Sequence, residues 1–194
     1  MDNSSNSNSK ISIQTAYDII INEHVNLYHS LDFENIKAIE EPLKNARQVF
    51  LIGAGRTGFM VKAATMRLMH LGYQVHVVGE TTTPAIGKDD LLIAVSGSGT
   101  TKSIVNAAET ACKSEAQIVC FTTNDLSPLA KIAHHTIMIP AAGKQEHTNK
   151  ISQQYAGSLF EQGFLLLFDA FIQYLWKQSD SNAEQLWEMH ANME

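Results

Sequence analysis

Two glycine-rich stretches carry the first chemical signal in this sequence. Gly53-Ala-Gly55-Arg56-Thr57-Gly58 and Ser96-Gly97-Ser98-Gly99-Thr100-Thr101 each close a short apolar run and open a helical pattern. Glycine lets the backbone come close to a ligand's oxygens, and serine and threonine add directed hydrogen bonds. The unpaired N–H groups of a helix start favour negative charge. The second stretch therefore reads as an anion cradle, with Ser96, Gly97, Ser98, Gly99, Thr100 and Thr101 as its candidate ligands. Such a turn can also do no more than cap a helix. Two of them at the ends of buried strands favour a phosphate site. No lysine follows in the G-K-[ST] form, which disfavours a nucleoside triphosphate. The first stretch matches G-x-G-x-x-G, with Glu80 where a ribose-binding acid would sit. A dinucleotide enzyme would also need a substrate domain, and 194 residues leave little room for one.

Titratable side chains supply the second signal. Ser158-Leu-Phe-Glu161 fits a capping box, with Glu161 as the third helical residue. The positive end of a helix holds such a carboxylate ionised and oriented, as a proton-abstracting base requires. Of the eight histidines, His70 stands at an expected helix C-terminus, where a cation complements the dipole. His134 and His135 fall between a helix and a strand and read as structural. His190 lies in the terminal segment. Arg56 and Thr57 are candidate substrate ligands at the first turn, with an exposed surface arginine as the plain alternative for Arg56. Arg67 is expected to pair with Glu80.

The surrounding pattern shows what must hold these groups. Val49–Ile52, Val75–Val78, Leu91–Val95, Ile118–Phe121 and Thr136–Ile139 are short apolar runs, as in strands buried on both faces. Helical patterns cover Gly58–Leu71, Lys102–Lys113 and Pro128–Ala133 between them, the last opened by Ser127 as N-cap before Pro128. Two further helices, Ile11–His29 and Phe33–Asn45, precede the first strand. A polar loop over Ala141–Ser152, a long apolar helix to Trp176 and a last helix opened by Ser181-Asn-Ala-Glu184 follow the fifth. Alternation of this kind makes an α/β fold with a doubly wound, five-stranded parallel sheet flanked by helices, a flavodoxin-like three-layer sandwich. Residues 1–10, rich in Ser and Asn, read as a disordered tail, and 11–194 as one domain.

Composition narrows the partners. Lys+Arg 14 against Asp+Glu 20 gives a net charge of −6, which argues against a broad nucleic-acid face. No segment approaches the ~20 apolar residues needed to span a bilayer. Two cysteines without metal or disulfide spacing suit a reducing cytosol, so a cytoplasmic protein is expected.

The motifs carry a resemblance. Ser96-x-Ser98-Gly99-x-Thr101 after a buried strand, with Gly53-x-Gly55-Arg56 upstream, resembles the SIS (sugar isomerase) domain family. Met66-Arg67-Leu-Met-His70-Leu-Gly72, Gly79-Glu80-Thr-Thr-Thr-Pro84, Gly157-Ser158-Leu-Phe-Glu161-Gln162 and His190-Ala-Asn-Met-Glu194 are similar, within it, to the 6-phospho-3-hexuloisomerases. Thr57 stands where that group usually has serine, and Met189 where it usually has arginine. The resemblance implies a phosphate held by the Ser/Thr loop, Glu161 as base and His190 as proton shuttle. It further implies interconversion of D-arabino-3-hexulose 6-phosphate and fructose 6-phosphate through a 2,3-enediol, in the ribulose monophosphate route of formaldehyde fixation. No cofactor or metal is called for, and a homotetramer is expected, with a histidine reaching a neighbouring subunit's site. Phosphoheptose isomerase is the alternative enzyme, disfavoured by the His190-Ala-Asn segment. A non-catalytic phosphosugar sensor is the alternative from another class, disfavoured by Glu161, His190 and the lack of a DNA-binding segment.

Overall fold

Apolar runs of four or five residues bounded by glycine and polar turns form the middle layer of the molecule. The three inner runs are buried as expected, whereas Val75–Val77 and most of His135–Met138 are only half-buried, because they are the edges of the sheet. The computed structural model describes residues 11–142 and 152–179, with residues 184, 186, 190 and 192. The five strands are β1 (Val49–Gly53), β2 (Val75–Val77), β3 (Leu91–Val95), β4 (Gln117–Thr122) and β5 (His135–Met138). All pair in parallel, in the order β2-β1-β3-β4-β5. The register sets Val49 beside both Val75 and Leu91. The expected α/β three-layer sandwich is what the chain adopts.

Alternation along each strand divides two cores. Leu51, Ile93, Val95 and Phe121 face one core. There they meet α1 (Ile13–Ser30), α2 (Phe33–Lys37), α3 (Glu40–Asn45), α4 (Arg56–His70) and α7 (Ser158–Gln178). Phe50, Ile52, Leu92, Ala94 and Cys120 face the other, under α5 (Lys102–Lys113) and α6 (Pro128–Ile132). The helix expected over 33–45 is two helices. Pro42 lies in the first turn of α3 and has no N–H to give Ala38, so a continuous helix would lose a bond there. Ser127 caps α6 as expected, accepting from the Ala130 amide at 3.2 Å. The N-terminal tail, most of the polar loop and the opening of the last helix fall outside the described residues. Among the described residues no helix is long and apolar enough to cross a membrane.

Strand order reverses between β1 and β3, and a crevice opens beyond the carboxyl ends of strands at such a point. Those two ends carry the two glycine-rich stretches.

Candidate functional site

Glu161 lies on the first turns of α7 with only 3% of its surface exposed. Its Oε2 accepts from Arg56 Nη1 at 2.7 Å, and its Oε1 faces Thr57 Oγ1 at 3.4 Å. Arg56 and Thr57 are the first two residues of α4, after Gly55, whose φ of +61° needs no Cβ to be tolerated. One end of α4 thus meets one end of α7, and the contact joins residues more than a hundred apart in sequence.

The capping box expected at Ser158 does not form. Ala156 and Gly157 both take left-handed φ, which makes Gly157 the N-cap and Ser158 the first helical residue. The Ser158 hydroxyl donates to the Tyr155 carbonyl at 2.7 Å. Glu161 consequently falls one position further in, and its side chain serves Arg56 and Thr57.

The Ser96–Thr101 loop is a braced cup. Gly99 N–H donates to the Ser96 carbonyl at 3.0 Å and faces Ser96 Oγ at 3.2 Å, while Ser96 Oγ also meets Thr101 Oγ1 at 3.2 Å. Ser98 and Thr100 share a hydroxyl contact at 3.0 Å at the exposed rim. From outside, Thr122 and Thr123 hydroxyls both donate to the Gly97 carbonyl, at 3.1 and 2.9 Å. Gly99 has φ +62°, and a Cβ there would stand 2.1 Å from Ser127 Oγ. A Cβ on Gly97 would touch the ring of Phe160, Glu161's neighbour, at 3.3 Å. Thr101, the N-cap of α5, makes no side-chain capping bond; its carbonyl accepts from the Ile104 and Val105 amides, and the Lys102 and Ser103 amides face outward from the helix start to an outside acceptor. The cup and the carboxylate therefore share one crevice, with the cup suited to an anion and Glu161 to a proton. The bracing by Thr122, Thr123, Ser127 and Phe160 was not visible in sequence. The only trace is the run of hydroxyls and Pro128 after β4.

His190 is elsewhere. Its ring stacks on His70, centroids 4.1 Å apart and planes 20° apart, and its Nδ1 lies 3.2 Å from the Leu186 carbonyl. His70 ends α4. Fourteen residue steps separate it from Arg56, roughly 21 Å of helix. Within one chain His190 and Glu161 are therefore at opposite ends of α4. His70 does not play the expected cationic role at a helix end. It is 7% exposed, and burial first, then His190 and Arg67, push its imidazole below its ordinary pKa and favour the neutral ring. Arg67 does not pair with Glu80 either. Lys62 does, at 2.6 Å, because one turn nearer the N-terminus of α4 lies closer to the end of β2. His134 is structural, its Nδ1 accepting from the Ile118 amide at 3.0 Å.

Ahead of α7, Glu23 of α1 fastens the chain. Its carboxylate accepts from Ser152 Oγ at 2.7 Å, the Gln153 amide at 2.6 Å and Gln154 Nε2 at 2.9 Å. Burial works against ionisation, but these three donors outweigh it and hold the carboxyl below its usual value.

The model of the SIS domain family matches residues 42–159, which takes in both glycine-rich turns. The 3-hexulose-6-phosphate isomerase of Mycobacterium gastri is 49% identical over 164 residues, covering 84% of this chain and 82% of that one. That of Bacillus subtilis is 36% identical over 176 residues, covering 90% and 95%. A protein of Methanococcus jannaschii superposes with TM-score 0.80 at 28% identity, covering 93% and 99%. Its structure was described as inferring a 3-hexulose-6-phosphate isomerase function.

Proposed function

The chain belongs to the SIS domain family, and from that premise we propose that it is a 6-phospho-3-hexuloisomerase, interconverting D-arabino-3-hexulose 6-phosphate and fructose 6-phosphate. The observation that carries the reading is the buried Glu161 carboxylate held by Arg56 beside the Ser96–Thr101 cup, in a chain half identical to an enzyme of that name. The reaction moves the carbonyl from C3 to C2. Glu161 removes the C2 proton, a 2,3-enediolate forms, and the proton returns to C3 while O3 gains the proton that O2 gives up. The amides and hydroxyls of Ser96, Gly97, Ser98, Gly99, Thr100 and Thr101 hold the phosphate, which fixes C2 and C3 against the base. Arg56 orients the carboxylate, and its guanidinium stabilises charge on the enediolate oxygen. Thr57 holds a substrate hydroxyl. No residue assigned here depends on a cofactor.

His190 shuttles the proton between O2 and O3, and it does so in a neighbouring subunit. Phe59 and Met66, 68% and 51% exposed, lie on one face of α4 with Ala63 midway. A two-fold axis at Ala63 would set two such helices antiparallel, with Phe59 within one residue of facing Met66 of the partner subunit. The same axis brings Arg56 opposite His70 of the partner subunit, on which that subunit's His190 is stacked. A second apolar face, formed by Ile13, Tyr17, Ile21, Val25 and Tyr28, is exposed along α1. Two self-complementary faces build a tetramer. The unpaired Cys112 and Cys120 suit the cytoplasm, where the enzyme would serve the ribulose monophosphate route.

Purified protein without added metal or nucleotide should convert 3-hexulose 6-phosphate to fructose 6-phosphate. Glu161→Gln should lose about 10²–10⁴-fold in kcat. Absence of turnover by the wild type would overturn the reading, and a fully active variant would remove Glu161 from the chemistry.

A further inference from the structure

The reaction as assigned uses His190 and leaves its ring partner without a task. We propose that His70 is a positioning residue for catalysis, a neutral platform that fixes the plane of the His190 imidazole as it trades protons with the sugar oxygens. This rests on the reading of His190 given above.

Two contacts among the described residues bear on the plane of the ring. His70 covers one face, at 4.1 Å and 20°. The Leu186 carbonyl, which can only accept, meets Nδ1 at 3.2 Å, so in the neutral ring the proton sits on Nδ1 and Nε2 is the accepting nitrogen. The two rings border a cavity of about 390 Å³ walled by Ile172, Trp176 and Leu186. The charged groups facing it are Arg67 from α4 and Asp169 from α7.

The platform must be neutral. When His190 takes a proton it becomes an imidazolium, and a second imidazolium stacked on it would push it away. Burial, His190 and Arg67 all act on His70 in that direction. Because its folded pKa lies below the ordinary value of 6.5, the stack is complete above pH 6.5 and is lost as pH falls through the lowered value. Acid therefore costs the enzyme the anchor.

Steady-state kinetics of three variants test this. His190→Ala should lose about 10²-fold in kcat. His70→Ala should lose about tenfold in kcat with KM changed less than about twofold, since the phosphate cup is untouched. The double variant should be no worse than His190→Ala alone. His70→Phe keeps a flat ring that cannot protonate; it should recover most of the kcat lost in His70→Ala and carry the acid limb of the kcat profile to lower pH. An active wild type whose His70→Ala form keeps its kcat, or whose His70→Phe form is as impaired as His70→Ala, overturns the positioning role alone. An inactive wild type overturns the functional reading and this role with it, and a fully active His190→Ala removes His190 from the chemistry and this role with it.

Discussion

The two ends of α4 solve the same problem, holding a reactive side chain still, by different means. At its N-terminus the solution is charge and backbone. Arg56 grips a buried carboxylate at 2.7 Å, and the neighbouring cup is fixed by glycines that admit no Cβ. At its C-terminus the solution is a pair of imidazoles face to face, one buried and one exposed. A charge-assisted bond between a buried acid and a guanidinium is short, strong and directional. A ring stack is weaker, and in this case it is lost when acid protonates His70, below that ring's ordinary pKa of 6.5. The fixed end suits a base and a phosphate that must not move relative to each other. The releasable end suits a group that must reach across to another molecule.

The sharpest way to break this contrast is to ask whether the two ends serve one active site or two. Glu161→Gln and His190→Ala, each inactive alone, should regain activity when unfolded and refolded together. Random pairing makes about half the pairs hybrid, with one intact site in each, so recovery should approach about a quarter of wild type. No recovery would mean that both ends act within one chain. A smaller effect should come from Gly99→Ala. Its Cβ would stand 2.1 Å from Ser127 Oγ at a left-handed φ, so thermal denaturation should show a loss of about 2–4 kcal/mol. KM should rise about tenfold or more as the cup deforms, reflecting a lost phosphate hydrogen bond or two. Adding Ser127→Gly should restore part of both. An unchanged KM would show that the cup is less rigid than the contrast requires. The smallest effect belongs to Glu23→Gln, which weakens the tie in front of α7 by about 1 kcal/mol. Because the Glu23 carboxyl is held below its ordinary value of 4.5, its contribution is present above that pH and fades as pH falls through the lowered value. The stability difference between wild type and variant, read by denaturant titration, should therefore shrink below about pH 4.5. A difference that persists in acid would assign the tie to packing.

Much of the frame was readable because its signals are local. Four-residue apolar runs, Ser127-Pro128 and the glycine turns each declare themselves within a few residues, and five strands in a doubly wound sheet follow from their alternation. The site was readable in its parts and not in its arrangement. Arg56, Thr57, Glu161 and the Ser96–Thr101 cup could be picked out by type and spacing, but the 2.7 Å pairing of Arg56 with Glu161 spans 105 positions. The capping box at Ser158 failed for a conformational reason, since two left-handed residues in a row, one of them alanine, shift the helix start by one. His70 misled because its place at a helix end suggested a cation, whereas burial decides its charge.

The tie between α1 and the approach to α7 has a consequence for how the chain reaches this state. Glu23 meets Gln154 across 131 positions, and His24 Nε2 meets Gln162 Oε1 at 3.0 Å across 138. Leu27 fills the space over Gly163 so closely that a Cβ there would lie 2.6 Å from it. Contacts this distant must close loops about two thirds as long as the protein, and loop closure of that kind is entropically slow. The central sheet with α5 and α6 can assemble from neighbours in sequence, whereas α7, which carries Glu161, can settle only when α1 and α4 are both in place to receive it. Assembly of the carboxylate site is thus bound to the closing step of folding, and a chain still missing that step would carry a finished sheet and no base.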